Sequence, residues 1–436
     1  MKLIDAKDPS FEKILGRIAG RGAEDASRVE KAVRDIIAEV KKRGDIALAS
    51  YTKKFDHVNV KGRLRVTEKE IDSALRAIPK KDLELLKLGA KRIAAFHKIG
   101  LPKSWTIKDS SGVTLGQKVT PIEKVGIYAP GGKAAYPSTV LMAAIPAKVA
   151  GVKEIIVTTP PRGTHPEDGS GGINPYVLAA SRIAGVHAVY RVGGAQAIAA
   201  LAYGTKTIPK VDKIVGPGNI FVATAKRLVF GTVAIDMVAG PSEILIVNDG
   251  SGDPAWLASD MLSQAEHDEL ASSILITTSH RTARTVKKEI LLQLRSLERR
   301  RIIEASLEKY GLIIIAKDLE DALRISNTLA PEHLELCVRR PKELLGKIKN
   351  AGAIFLGHTT PEACGDYLAG PNHTLPTGGT ARFSSPLNST DFVKLSSVME
   401  FSEKALKKLG PSIERFAELE GLIAHAKSVG IRLKEL

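Results

Sequence analysis

Ala330-Pro331-Glu332-His333-Leu334-Glu335 sets a carboxylate and an imidazole side by side, just ahead of the apolar run Leu336, Cys337, Val338. An imidazole titrating near neutrality suits removal of a hydroxyl proton, and a neighbouring carboxylate can activate a water. Together they could handle two protons, provided both face one cleft. Pro331 ends the preceding helix and favours extended backbone at Ala330, so Glu332 and His333 fall where a helix gives way to a strand. Neighbours on an extended strand point to opposite sides, so a shared cleft requires irregular backbone over Pro331–His333. A solvated glutamate and a capping or core histidine account for the same residues, and the rest of the chain has to decide.

Three further groups have usable chemistry. Gln264 and His267, in Ser263-Gln264-Ala265-Glu266-His267, lie three apart on a helix that starts near Pro254. Residues so spaced share a face, and an amide oxygen with an imidazole can bind a divalent metal such as zinc. A solvated helix face fits equally. The loop from Cys364 to His373 is dense in glycine and polar groups; Asp366 offers a carboxylate ligand and His373 a substrate contact. Glu420 and His425 form a second acid–imidazole pair. On a straight helix they would point ~140° apart, so Gly421 either breaks the helix or the two serve different groups. Cys337 and Cys364 make neither a disulfide framework nor a thiolate zinc site, and neither has an activating neighbour in sequence. A reducing, cytoplasmic setting is expected.

The elements that must position these groups follow two rhythms. Residues 1 to 100 read mostly as helix, with Val29, Val33, Ile36, Ile37 and Val40 at helical spacing. Thr67-Glu68-Lys69-Glu70 is a capping-box pattern. A hairpin turning at Asp109–Gly112 is expected between Trp105 and Val119. From 121 onward, apolar strand-like runs (125–129, 155–159, 188–192, 213–215) alternate with alanine-rich helical segments. The rhythm resumes at 244–247, 273–277, 312–316, 334–338 and 353–356. Strands alternating with helices imply parallel β-α units, here two sheet domains that suggest a duplication. Residues from 381 read as a loop-rich, helical tail rather than a third sheet.

Pro130-Gly131-Gly132, Gly193-Gly194, Gly216-Pro217-Gly218 and Gly240-Pro241-Ser242 all follow apolar runs. In open parallel sheets ligands bind beyond the carboxyl ends of strands, and four such loops in one sheet imply a crevice rather than four unrelated turns. Gly216 to Phe221 partly matches a dinucleotide fingerprint, with Phe221 in place of the third glycine and Asp236 where a ribose-binding acid would sit.

The 436 residues have a formal charge of +16 and a pI near 9.6, with 5% aromatic residues. The basic residues are scattered among acids and no aromatic stacking platform accompanies them, which argues for an anionic small ligand over nucleic acid. The lack of a His-Glu-x-x-His helix weakens a zinc hydrolase. No apolar run reaches the ~18–20 residues a membrane span needs, and the acidic N-terminus is unlike a signal peptide.

Taken together the motifs resemble the histidinol dehydrogenase family. They are Gly126–Gly132, Gly193–Gly204, Val215–Asn219, Ile235–Glu243, Ser263–Asp268, Ala330–Glu335, Gly365–His373 and Glu420–Ala426, in the family's order over almost the whole chain. Val238, where proline is common, and a longer loop at 163–172 depart from the pattern. The resemblance implies oxidation of L-histidinol through the aldehyde to L-histidine with two NAD+ and one water, at the end of histidine biosynthesis. It implies one zinc per subunit, bound by Gln264, His267, Asp366 and the partner subunit's His425 and holding the substrate. Ser242, His333, His373 and Glu420 would line the substrate site, and Tyr128, Gln196 and Asn219 would meet NAD. His333 is then expected as acid-base in both oxidations and Glu332 as the base for water. The implied fold is an intertwined α/β homodimer with two incomplete Rossmann-like parallel-sheet domains and helical extensions. Its expected parts are a helical segment and hairpin over 1–120 packing with the 236–380 domain, an NAD-binding domain over 121–235, a second domain over 236–380 carrying metal and catalytic residues, and a dimerisation tail over 381–436.

Overall fold

Strands of consecutive Val, Ile and Leu, apolar on both faces, are what a sheet covered on both sides requires, and the computed structural model has two such sheets. It describes residues 1–20, 23–131, 136–161 and 172–436. Gly132 of the first glycine loop, and the long loop at 163–172 apart from Gly172, lie outside the described residues. The chain opens with β1 (Lys2–Asp5), α1 (Phe11–Ala19), α2 (Ala23–Arg43), α3 (Asp45–Asp56), α4 (Glu68–Ala77) and α5 (Lys80–Ile99), then β2 (Trp105–Lys108) and β3 (Val113–Pro121). The first β-α run is β4 (Lys124–Tyr128), α6 (Pro137–Ala150), β5 (Glu154–Thr159), α7 (Pro175–Ala184), β6 (Ala188–Arg191), α8 (Gly194–Tyr203), β7 (Lys213–Val215), α9 (Ile220–Val229) and β8 (Ala234–Ile235). The second is β9 (Glu243–Asn248), α10 (Pro254–Ala265), β10 (Ser272–Thr277), α11 (His280–Gln293), α12 (Arg300–Tyr310), β11 (Leu312–Ile315), α13 (Leu319–Leu329), β12 (His333–Cys337), α14 (Pro341–Leu344), β13 (Ala353–Leu356) and α15 (Glu362–Tyr367). β14 (Val393–Phe401), α16 (Glu403–Leu419) and α17 (Ile423–Glu435) end it.

The five-stranded sheet runs β6-β5-β4-β7-β8 and the six-stranded sheet β1-β11-β10-β9-β12-β13, all pairs parallel. Numbered within each run, both have strand order 3-2-1-4-5, a Rossmann order that stops before the sixth strand, with β1 added to the second sheet's edge. The shared order supports the duplication that low sequence identity left unproven. One apolar cluster lies on each face of each sheet.

Three expectations are corrected. The N-terminal segment is not helical from its start, because Lys2–Asp5 pairs with β11 in register from Leu312 to Ile315. Nor does residues 1–120 as a whole pack with the 236–380 unit. β1 and α1 do, whereas α2 packs on α8 and α9, α4 on α7 and α5 on α6, because their apolar faces match the alanine-rich helices of the first sheet. Finally, the tail contains a strand: β14 pairs antiparallel with β3, Val393 opposite Pro121 through to Phe401 opposite Val113, so the β2–β3 hairpin becomes a three-stranded sheet. Along β14 exposed residues follow one another without a buried face, which hid the strand from a test for alternation. The capping box at Thr67 forms, with Glu70 accepting from the Thr67 N–H at 2.8 Å.

One core residue of α5 gives a pH prediction. His97 is 2% exposed, its Nε2 lacks a hydrogen-bond partner among the described residues, and burial lowers its pKa from 6.5 to about 4. Below 6.5 the unfolded chain takes up a proton that the folded chain refuses. Stability present above that pH is therefore lost as pH falls through about 4. His97→Phe should flatten this part of the acid limb, read as a smaller fall in Tm between pH 7 and pH 4 than the wild type shows.

Candidate active site at the junction of the two sheets

The residues around 332 come together at the amino ends of β9 and β12, neighbouring strands of the second sheet. α13 ends at Leu329, and Ala330 takes φ +51°, ψ 61°, its N–H donating to the Ser326 carbonyl at 2.9 Å. That left-handed cap overturns the expectation of extended backbone at Ala330: satisfying the last carbonyls of the helix outweighs the pre-proline preference. The irregularity required over 330–333 is therefore present. Glu332 and His333 both point inward, with Glu332 Oε2 3.7 Å from His333 Nδ1.

Glu243, the first residue of β9, locks the arrangement. Its N–H donates to Glu332 Oε2 at 2.8 Å, its Oε2 accepts from the Glu332 N–H at 3.3 Å, and its Oε1 accepts from the Gly378 N–H at 2.8 Å. The Glu243 carbonyl lies 2.9 Å from His333 Nδ1. A carbonyl only accepts, so Nδ1 carries the hydrogen and the Nε2 lone pair is left free. Nε2 is buried without a hydrogen-bond partner among the described residues, 3.9 Å from Asp366 Oδ1. Glu362 Oε1 sits 3.6 Å from Nδ1. Burial above all lowers the His333 pKa to about 3, the nearby His267 and His373 adding to it against the Glu243 carbonyl, so the ring is neutral at pH 7.

Glu362 and Asp366 are four apart on α15 and meet His333 from one side. Ligand atoms of the three lie within 4.8 Å of one another. Burial raises both carboxyls, Asp366 to about 6, and in Glu362 the neighbouring acids push the same way. α15 approaches closely because Gly365 lacks a Cβ, which would meet the Phe355 ring at 2.8 Å; that ring lies 6.0 Å from the His333 imidazole, centroid to centroid.

Of the four expected zinc ligands, Asp366 belongs to this cluster. Gln264 is fully buried against it; with its amide turned to suit its neighbours, the NH2 donates to both Glu362 oxygens (2.5 and 2.8 Å) and the oxygen accepts from the Glu243 N–H at 2.8 Å. The other orientation sets the amide oxygen facing the carboxylate, an arrangement a cation between them satisfies. α10 ends at Ala265, two residues before the expected helical His267, but a turn from the His267 N–H to the Gln264 carbonyl (3.2 Å) keeps both together. His267 Nδ1 is buried without a hydrogen-bond partner among the described residues. The orphaned His267 nitrogen, the Asp366 carboxylate and the Gln264 amide oxygen are a donor set that fits a borderline ion such as zinc. His425 and Glu420 are not brought to the cluster: Gly421 at φ +75° separates α16 from α17, and both residues are exposed on that helical pair.

Ser242, half-buried, leads into β9 and its carbonyl accepts from the Ser272 N–H at 3.0 Å. His373 bonds Thr139 Oγ1 through Nε2 at 3.2 Å, and burial lowers its pKa to about 4. This link joins the second sheet's site to α6 of the first.

Tyr128, Gln196 and Asn219 lie at the carboxyl end of the first sheet. The Tyr128 hydroxyl accepts from the Gly194 N–H at 3.1 Å, with burial pushing its pKa up to about 12; Gln196 is buried beside Gly194; Asn219 caps α9 through the Phe221 and Val222 N–H groups at 3.1 and 3.2 Å. Two readings change here. Gly240-Pro241-Ser242 is not a fourth loop of this sheet alone: it leaves β8 and enters the amino end of β9, so it bridges the two sheets. Asp236 is not placed for a ribose. It is buried with Lys226 as an ion pair that grips Gly216 on both sides, Asp236 Oδ2 accepting its N–H at 2.7 Å and Lys226 Nζ donating to its carbonyl at 2.9 Å. Gly216 (φ +113°) must be glycine, because a Cβ would stand 2.2 Å from the Tyr128 carbonyl oxygen.

Sequence reading missed Glu243 and Glu362. Glu362 carried a signal, since it stands four residues before Asp366 and hence on one helical face. Glu243 carried none, because its role depends on β9 and β12 being neighbours. Cys337 is not poised as a nucleophile: burial and nearby acids push its thiol up, away from the reactive thiolate.

A family profile described as histidinol dehydrogenase matches residues 19–433. The chain is 56% identical over 436 residues to a histidinol dehydrogenase of Geobacter metallireducens, covering 100% of this chain and 98% of the relative. It is 52% identical over 427 residues to that of Aquifex aeolicus, covering 98% and 97%. The crystal structure of histidinol dehydrogenase from Elizabethkingia anophelis superimposes with a TM-score of 0.93 at 37% identity, covering 100% of this chain and 98% of the other. Among the described residues no helix is long and apolar enough to cross a membrane.

Proposed function

The chain belongs to the histidinol dehydrogenase family, and from that premise we propose how its own residues carry out the NAD-dependent oxidation of histidinol to histidine. The observation that carries the residue assignment is the free, buried Nε2 of a neutral His333 beside three carboxyls. NAD, when bound, accepts one hydride in each of two oxidations. Gln264, His267 and Asp366 would hold zinc, which would anchor the substrate. His333 Nε2 takes the hydroxyl proton as the alcohol is oxidised, and Nδ1–H stays on the Glu243 carbonyl throughout. Glu332 removes a proton from the water that hydrates the aldehyde, His333 returns its proton to the aldehyde oxygen, and the neutral ring then takes the hydroxyl proton of the hydrate. Ser242 and His373 border the substrate; Tyr128, Gln196 and Asn219 border NAD.

Chelator should abolish histidinol-dependent NADH formation and added zinc should restore it. Lack of turnover with any amino alcohol would end this reading. Glu332→Gln separates the two halves: alcohol oxidation persists, while aldehyde oxidation drops by roughly 100-fold or more, in line with losing a general base. Aldehyde oxidation at the wild-type rate would remove Glu332 from water activation.

We assign the active form to a homodimer in which the partner subunit's His425 and Glu420 complete the site. Supporting this, Phe416, Leu419, Leu422 and Ile423 are exposed along the α16–α17 turn, beside the two polar residues concerned. His333→Asn and His425→Ala should each be inactive alone. Unfolded together and refolded, they should recover about a quarter of the activity, because half the dimers are mixed and each has one intact site. No recovery would place both residues in one subunit's site.

A further inference from the structure

Beneath the cluster lies a second pair of acids that the reaction does not consume. Glu335 is fully buried on β12, two residues past His333 and on the same side of the strand. Its Oε1 accepts from the Glu362 N–H at 2.8 Å, the first N–H of α15. Its Oε2 accepts from the Cys337 thiol at 3.7 Å. The Asp260 carboxyl on α10 lies beside it, and burial raises both acids. A fully buried carboxyl is a costly way to fill a core; a well-packed hydrophobic residue would be as stable or more so. What the apolar alternative lacks is an acceptor for the Glu362 N–H, and that N–H fixes where α15 begins. Four residues on, Asp366 faces His333 Nε2.

We propose that Glu335, braced by Asp260, is a positioning residue of the metal and substrate centre: by holding the Glu362 N–H it sets the angle at which Glu362 and Asp366 meet His333. This rests on the reading of that centre given above. Gln at 335 preserves the device, since its amide oxygen can still accept from the Glu362 N–H. Leu fills similar space without an acceptor.

The test measures zinc affinity by chelator competition and Tm of the zinc-free protein for Glu335→Leu, Glu335→Gln and Asp260→Ala. Glu335→Leu should bind zinc ~10–100-fold more weakly, the usual effect of losing a group that orients a ligand, with a zinc-free Tm no lower than wild type. Glu335→Gln should bind zinc within a few-fold of wild type, and KM for NAD should not move in either. Wild-type zinc affinity in Glu335→Leu, or a Gln variant as weak as Leu, overturns the proposal. Asp260→Ala, at a half-buried helical position, keeps the question open to measurement if the Leu variant does not fold: unchanged zinc affinity there overturns the bracing. Failure of the wild type itself to bind zinc would instead remove the reading of the centre.

Discussion

His333→Asn is expected to lower kcat by roughly 100- to 10,000-fold in both the alcohol and the aldehyde oxidation, the range for loss of a positioned acid-base. Asn is the informative replacement because its amide NH2 can still donate to the Glu243 carbonyl, as Nδ1–H does at 2.9 Å, while nothing replaces Nε2. The fold and the Glu243–Glu332 exchange should therefore survive, and KM for histidinol should move less than kcat. The size of the loss follows from the site's electrostatics. A histidine whose pKa burial has lowered to about 3 is a poor base if isolated. Here the proton arrives among three carboxyls, with Glu332 and Glu362 at 3.7 and 3.6 Å from Nδ1 and Asp366 at 3.9 Å from Nε2. An ionised carboxylate at that distance favours the imidazolium that proton transfer creates and offsets part of the cost of burying it. Unchanged alcohol oxidation in His333→Asn would move the base elsewhere in the cluster.

The strand runs of both sheets were legible because parallel strands buried on both faces read as unbroken Val, Ile and Leu, as Ile274–Ile276 and Leu312–Ile315 do. β14 was not, since its burial depends on nothing in its own alternation. The acid–imidazole pair stood out because its residues are adjacent in the chain. Glu243 and Glu335 act through neighbours 89 and 27 residues away, at Glu332 and Glu362, and only strand order makes those contacts. Asp236 shows the opposite failure. Its spacing from Gly216 matched a ribose-binding pattern, yet burial with Lys226 leaves it no face toward a ligand. Position in a motif reports where a side chain starts; the electrostatics of its surroundings decide what it can bind.

That buried pair carries the largest stability effect expected outside the catalytic cluster. Lys226→Met should cost about 3–5 kcal/mol, because it strands the Asp236 carboxylate, 1% exposed, without its counter-charge. The Gly216 carbonyl loses its donor at the same stroke. The double variant Lys226→Met, Asp236→Leu removes both charges and should recover part of the loss, but not all of it. The Gly216 N–H and carbonyl still need partners, and a left-handed glycine pressed against the Tyr128 carbonyl has little freedom to seek others. Urea unfolding of the two variants separates these contributions. The same experiment bears on function: Gly216 opens the turn whose Asn219 caps α9, so a loosened grip should raise KM for NAD while leaving zinc affinity at the second sheet unchanged. A single variant as stable as wild type would mean that water reaches Asp236 and that the pair is not the fixed point of the turn.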